Sequence, residues 1–208
     1  MKPVSYFTAG LISSILMVGM LAPKNSNITE ISIAIPHNTL HPSIGLDTVQ
    51  LDCMAQNIFF EARGESIQGK AMVGMVVLER TYSPHFPGTV CEVVKQAETT
   101  ASGAIIRDHC QFSWYCDGQP HNIDFDDAGV AKEWDESYQV AKVVMLGHVT
   151  SSIDLDGVTH YHSRKVKPFW SKDHNYKLVA KIGNHLFYRW NKALLPRWEP
   201  SNQYAMAN

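Results

Sequence analysis

The chain has no charge excess of either sign. Its 208 residues carry 18 Lys and Arg against 20 Asp and Glu, a formal net charge of −2. That balance excludes a protein whose main work is holding nucleic acid, which needs a strongly basic surface. No internal repeat and no low-complexity tract is present, so neither a solenoid nor a disordered chain is indicated. A G-x-S-x-G elbow and a glycine-rich phosphate loop are both missing, which removes the simplest signatures of α/β-hydrolases and nucleotide binders. Cysteine is scarce, and no two cysteines have the C-x-x-C spacing that marks thiolate zinc sites. What remains is an ordinary globular composition, 45% hydrophobic and 18% charged, enough for one domain with a sizeable core.

Charge is also missing locally, and that absence is informative. Between Lys2 and Lys24 the stretch 3–23 holds no charged residue. Its length suits a bilayer-crossing helix, and a lysine followed by an apolar run also describes a secretory signal. Residues 1–23 are therefore read as a signal peptide or an N-terminal membrane anchor, with membrane contact through residues 3–23 in the anchored form. Ser5, Thr8, Gly10, Ser13, Ser14 and Gly19 weaken its hydrophobicity, and Met20 and Ala22 make an imperfect small-x-small cleavage pair. Both forms place the remainder outside the cytoplasm, because Lys2 marks the inner side. The four cysteines, Cys53, Cys91, Cys110 and Cys116, suit that compartment. An even count in an exported domain predicts two disulfides, with three connectivities open.

Residues 24–47 read as a linker with at most one short strand around residues 31–35, and residues 196–208 as a loose polar tail. The domain between them, 48–195, opens with a helical spacing of Val49, Leu51, Met54, Ala55, Ile58 and Phe59, which Gly64 should end. A second helix is expected over 65–82, with Gly69, Ala71 and Gly74 letting another helix approach closely. Thr89 and Glu92 form a capping-box pattern that starts a short helix. Residues 97–123 read as irregular. A long helix is expected over 125–146, capped by Asp124 or Asp126 and stopped by Gly147, with Ala128, Ala131, Trp134, Tyr138, Ala141 and Met145 as its buried stripe. The alternation in "VTHYHS" and the run 184–190 predict two strands that pair. The class is α+β, mainly α.

Glu61 follows two phenylalanines near the end of the first helix. Apolar neighbours raise a carboxyl pKa, and a carboxyl still protonated near neutral pH can act as a general acid on a glycosidic oxygen. The plainer alternative is a solvated helix-end carboxylate paired with Arg63. Glu65, beyond Gly64, reads as a support, either capping the next helix or pairing with Arg63. His160 and His162 share one side of a strand, a spacing that can bind metal. A third ligand would have to come from His174, His185, Glu61 or Asp173. Otherwise one histidine lines a groove and the other lies on the surface. Phe112, Trp114, Tyr115, Trp170 and Tyr176 are loop aromatics, able to stack on sugars or simply to pack.

The blocks "CMAQNIFFEARGESIQGKAMVGMVVLER", "FPGTVCEVVKQ", "CQFSWYCDG", "THYHSRKVKPFW" and "IGNHLFYR" occur in order across residues 50–190. Together they resemble the cell-wall hydrolase family typified by the spore-cortex-lytic enzymes of germinating bacilli, and most closely its Gram-negative and phage branch. The resemblance implies a lysozyme-like domain with a small β-hairpin. It implies cleavage of the β-1,4 bond between N-acetylmuramic acid and N-acetylglucosamine in peptidoglycan, in the manner of a lytic transglycosylase and without a metal or other cofactor. Glu61 matches the catalytic position, Glu65 the second motif glutamate, and the four cysteines match positions that look disulfide-bonded. Gln111, Phe112, Tyr161, His162 and Trp170 are the candidate substrate contacts, from motif position and residue type. One departure is Glu79, where the family usually has asparagine. The expected partner is the peptidoglycan glycan strand, met by a monomer that is exported and faces the periplasm or wall. A secreted bacterial enzyme and a phage endolysin with a releasable anchor both fit. A zinc amidase or peptidase using His160 and His162, and a non-catalytic wall-binding module, are the rival readings.

Overall fold

The computed structural model describes residues 31–33 and 46–191. The reading of 1–23 as signal or anchor, and of 196–208 as a tail, falls outside them. So does most of the proposed linker. Within it, β1 (Ile31–Ile33) pairs antiparallel with β4 (Val149–Ser151), Ile31 facing Ser151 and Ile33 facing Val149.

Helix α1 (Thr48–Ala62) starts where Asp47 accepts the amide hydrogens of Val49 and Gln50. It stops before Gly64, whose φ of +82° suits a residue without Cβ. Helix α2 (Ile67–Tyr82) is capped by Ser66, which accepts from the Gly69 N–H, and not by Glu65. Gly74 fulfils its expected role: a Cβ there would lie 3.1 Å from Ile58 of α1 and 3.3 Å from Val144, so α2 can lie tight against both neighbours. The short helix α3 (Val90–Val94) begins with Thr89 accepting from the Glu92 N–H. Glu92 returns to the Thr89 hydroxyl and not to its backbone. Helix α4 (Ala128–Met145) starts later than expected and is capped by Asp127, which accepts from Gly129 and Val130. Asp124 instead closes the preceding turn on Asp126. In the expected stripe, Ala141 is buried and Trp134, Tyr138 and Met145 pack on the core, whereas Ala128 is exposed.

Helix α2 is the centre of the molecule. Ala71 and Val77 belong to a helical core with Met54, Ile58 and Val144, while Met72, Val73 and Val76 join a second core with Ala62, Val158, Ala180 and Phe187. Met72, Val73, Val76 and Val77 have no exposed surface. Burial of each such side chain stabilises the fold by about 1.5–3 kcal/mol. A helix covered on both faces shows little amphipathic periodicity, because helices hold one side and a sheet the other.

The β content exceeds the single hairpin expected. β5 (Val158–Ser163) does pair with β7 (His185–Trp190), as the alternation predicts, but β6 (Tyr176–Ile182) flanks β7 on its other edge. A further ribbon, β2 (Ala97–Thr99) with β3 (Ile105–Cys110), lies inside the region read as irregular. All six residues of β3 are exposed or half-exposed, without alternation, so no burial pattern marked it. Two disulfides settle the connectivity: Cys53 with Cys91, joining α1 to α3, and Cys110 with Cys116, closing the segment after β3.

Candidate active site

The end of α1, the C-terminal half of α2, the Cys110–Cys116 loop and the strands β5 and β7 surround an open cleft of about 480 Å³. Glu61 projects from α1 into it. Tyr161 of β5 donates its hydroxyl hydrogen to Glu61 Oε2 at 2.9 Å. Burial pushes the Glu61 carboxyl above its ordinary value, and the Tyr161 hydrogen bond and the charge of Arg80 pull it part of the way back. Tyr161 is itself pushed far above the ordinary phenol range, first by burial and then by Glu61, so it stays a donor.

Arg80, in the last turn of α2, also lines the cleft and is only 5% exposed. Its guanidinium lies 5.0 Å from the Phe86 ring and 5.1 Å from the Phe112 ring, and its Nε–H donates to the Thr159 carbonyl at 2.8 Å. Its Nη1 is buried without a hydrogen-bond partner. Burial lowers its pKa to about 10, which leaves it a cation at neutral pH. The sequence reading missed Arg80. Its apolar neighbours in "VVLER" were a signal that the position is buried, and a buried arginine at the end of a core helix is rare unless something uses it.

Glu65 lines the same cleft with both oxygens engaged. Oε2 accepts from the Asn184 N–H at 3.1 Å and Oε1 from the Asn184 side-chain amide at 2.8 Å. The β6–β7 turn comes so close that a Cβ on Gly183 would collide with the carboxylate. Glu65 thus fixes that turn and neither caps α2 nor pairs with Arg63. Gln111 and Phe112 line the cleft from the disulfide loop, with the Gln111 N–H bonded to the Gln96 carbonyl. Trp114 is buried beneath them and donates to Asn57 at 3.0 Å, so it packs and does not reach out to substrate.

His162 lines the cleft and shares a 3.0 Å hydrogen bond with the Tyr188 hydroxyl. His160 sits among Trp170, Tyr176 and Trp190, with ring centroids 4.9–5.4 Å apart, and burial pushes its pKa well down. Both histidines touch Trp170, as expected for one side of a strand. Their rings are taken up by aromatic packing, and among the described residues no three His, Cys, Asp or Glu side chains converge on a point where a metal could sit.

The structure therefore brings Glu61, Glu65, Gln111, Phe112, Tyr161 and His162 to one cleft. It leaves two of the candidate residues outside. Trp170 packs against His160, His162, Tyr176 and Tyr188. Arg63 is exposed with its guanidinium 5.4 Å from the Phe59 ring. Glu79 lies away from the cleft lining and accepts the Gly157 N–H at 2.9 Å, which anchors the turn into β5. Its charge thus acts on the strand that carries Tyr161 and has no direct access to a ligand in the cleft. Among the described residues no helix is long and apolar enough to cross a membrane.

Comparison with known proteins gives two positive findings. The model of a family described as cell wall hydrolase matches residues 64–188. The crystal structure of the catalytic domain of the Bacillus cereus SleB protein aligns over 74% of this chain and all of its own, with 22% identity and a TM-score of 0.43. A search of curated proteins returns no match.

Proposed function

The chain belongs to the cell wall hydrolase family, and from that premise we propose that it cleaves the β-1,4 bond between N-acetylmuramic acid and N-acetylglucosamine in peptidoglycan by lytic transglycosylation, with Glu61 as the general acid. The observation that carries this reading is the setting of Glu61. It is a carboxyl whose protonated form burial favours, in the wall of an open cleft, with one oxygen already held by Tyr161. Because Tyr161 donates to Oε2, the carboxyl proton belongs on Oε1, where it is free to meet a glycosidic oxygen.

The reaction follows from that arrangement. Glu61 gives its proton to the glycosidic oxygen and the bond from that oxygen to C1 of muramic acid breaks. The 6-hydroxyl of the same sugar attacks C1 and closes a 1,6-anhydro ring. Its proton passes to the Glu61 carboxylate and restores the acid. While Glu61 is ionised, the Tyr161 hydroxyl and the Arg80 cation stabilise it. Most glycosidases use a second carboxylate as base or nucleophile. The other carboxylate lining this cleft is Glu65, and its oxygens are occupied by Asn184. That occupancy favours the sugar's own hydroxyl over a protein group as nucleophile. Such a substrate lies outside the cytoplasmic membrane, in keeping with an exported protein carrying two disulfides.

Mass spectrometry of muropeptides released from sacculi tests the reading. Wild type should yield anhydro-muramyl ends, and Glu61→Gln should yield none. Reducing muramic ends would assign hydrolysis by water instead, and an unchanged digest from Glu61→Gln would remove Glu61 as the acid. The variant should melt no lower than wild type, since it replaces a carboxyl whose ionisation burial opposes. Activity lost on chelation and restored by zinc would favour the metal-dependent peptidase reading.

A further inference from the structure

We propose that the turn between β5 and the Phe169–Lys172 helical turn is an anion-reading lip, which binds carboxylates of the stem peptides borne by the glycan strand in the cleft. The inference rests on the proposed glycan-cleaving function and adds a substrate preference to it.

Three of the chain's 18 cations fall within four consecutive positions here, Arg164, Lys165 and Lys167. All three are exposed, and none takes part in an ion pair among the described residues. A cluster of uncompensated like charges is unfavourable by itself, and most such runs are simply solvated. Two observations set this one apart. Lys165 and Val166 line the same cleft as Glu61, so an anion held there would be close to the scissile bond. The backbone of the lip is also fixed: the Arg164 N–H donates to the Asn184 carbonyl at 2.8 Å, and the Val166 N–H to the Ser163 carbonyl at 3.0 Å. Asn184 is in turn held by Glu65. A turn whose backbone is hydrogen-bonded and whose cations are exposed is pre-organised for an anionic ligand, because chiefly side chains must be ordered on binding.

The chemistry of the ligand follows from its place. Sugar rings are neutral, so the cations face substituents of the strand and not its backbone. The substituent of a muramic acid unit is a peptide ending in carboxylates. Val166, 52% exposed, and Phe169, 72% exposed, add apolar surface for the aliphatic part of such a peptide.

The test compares two substrates, glycan strands with stem peptides and strands stripped of them by an amidase and then converted to the neutral amide at the freed lactyl carboxyl, using the full chain and the triple variant Arg164→Gln/Lys165→Gln/Lys167→Gln at low salt. Wild type should prefer the peptide-bearing strands. The triple variant should reduce the ratio of kcat/KM on the two substrates about fivefold, mainly through KM, and added salt should do the same to wild type. Equal wild-type turnover of both substrates, or an equal loss on both by the variant, would overturn the lip while leaving the glycosidase reading intact. Cleavage of neither substrate would overturn both. If the variant's loss follows phosphate polymers left in the sacculi and not the peptides, the lip is a phosphate reader and the proposal falls.

Discussion

At the N-terminal end of α2 the ammonium of Lys70 is fully buried and meets two carboxylates of α4, Glu133 at 2.7 Å and Glu136 at 3.1 Å. Near the other end of the same helix Arg80 is equally enclosed, yet it forms no ion pair with a carboxylate among the described residues and leaves Nη1 without an acceptor. Both ends place a cation in the interior, where an unpaired charge is costly. At one end the charge is cancelled and its partners tie two helices and the Gly64 turn together, since Glu133 also accepts the Gly64 N–H. At the other end the charge is left over and faces the cleft that holds Glu61. The first arrangement serves stability. The second leaves an incomplete hydrogen-bond shell, and in the proposed mechanism its positive field falls where the Glu61 carboxylate forms.

The strongest way to break this contrast is to reverse the structural cation. Lys70→Glu would bury a negative charge beside two others and should destabilise the protein by about 4 kcal/mol, read as a lower midpoint in denaturant. The fraction that remains folded should keep the wild-type kcat. A fall in kcat at full folding would mean that Lys70, too, acts on the cleft.

Removing the other cation should give the opposite pattern. Arg80→Met should lower kcat about 100-fold, the usual scale for loss of one electrostatic stabiliser, with a much smaller change in melting. Arg80 holds the Glu61 pKa down, so its loss should also move the alkaline limb of the pH–rate profile to higher pH. Arg80→Lys should recover part of kcat. An unfolded Arg80→Met would instead make Arg80 a structural cation like Lys70, and the contrast would disappear.

A milder test concerns the neutral partner of Glu61. Tyr161→Phe should lower kcat about tenfold and shift the same limb upward, because the hydrogen bond it removes also holds the Glu61 pKa down. A change in KM alone would make Tyr161 a substrate contact and no more.

The smallest effect is in acid. Glu133 is held below its ordinary value of 4.5, chiefly by its hydrogen bond from Lys70. A depressed carboxylate stabilises the fold above its unfolded pKa, and that contribution is lost as the pH falls through the folded one. Stability should therefore decline below about pH 4.5, by less than 1 kcal/mol for this half-exposed group. Lys70→Met should lack that component of the decline, and an identical acid profile in both proteins would dismiss the ion pair as a source of stability.

Glu61 was legible in the sequence because the Phe59–Phe60 pair and the Gly64 stop are local facts. So were α1, the Gly74 contact and the pairing of β5 with β7, each of which rests on spacing along a short stretch. The β2–β3 ribbon escaped because its exposed residues carry no alternation. Asp127 displaced Asp124 and Asp126 as the cap of α4 because several acids in a row offer equivalent caps, and only the path of the chain selects one. Arg80 and Lys70 were not singled out because their burial is set by neighbours far away in sequence: Thr159 lies 79 residues from Arg80 and Glu133 lies 63 from Lys70.

By itself the sequence determined the family, the helical first half of the domain and the choice of Glu61 as the candidate acid, since residue order and short-range periodicity encode these. Only the tertiary structure decided how the four cysteines pair, that Glu65 holds the Asn184 turn, that Trp170 packs away from the cleft, and that α2 ends in a cation with no carboxylate of its own. The physical reason is common to all four. Each depends on which groups from distant segments share a low-dielectric space, and only packing of the whole chain brings those segments together.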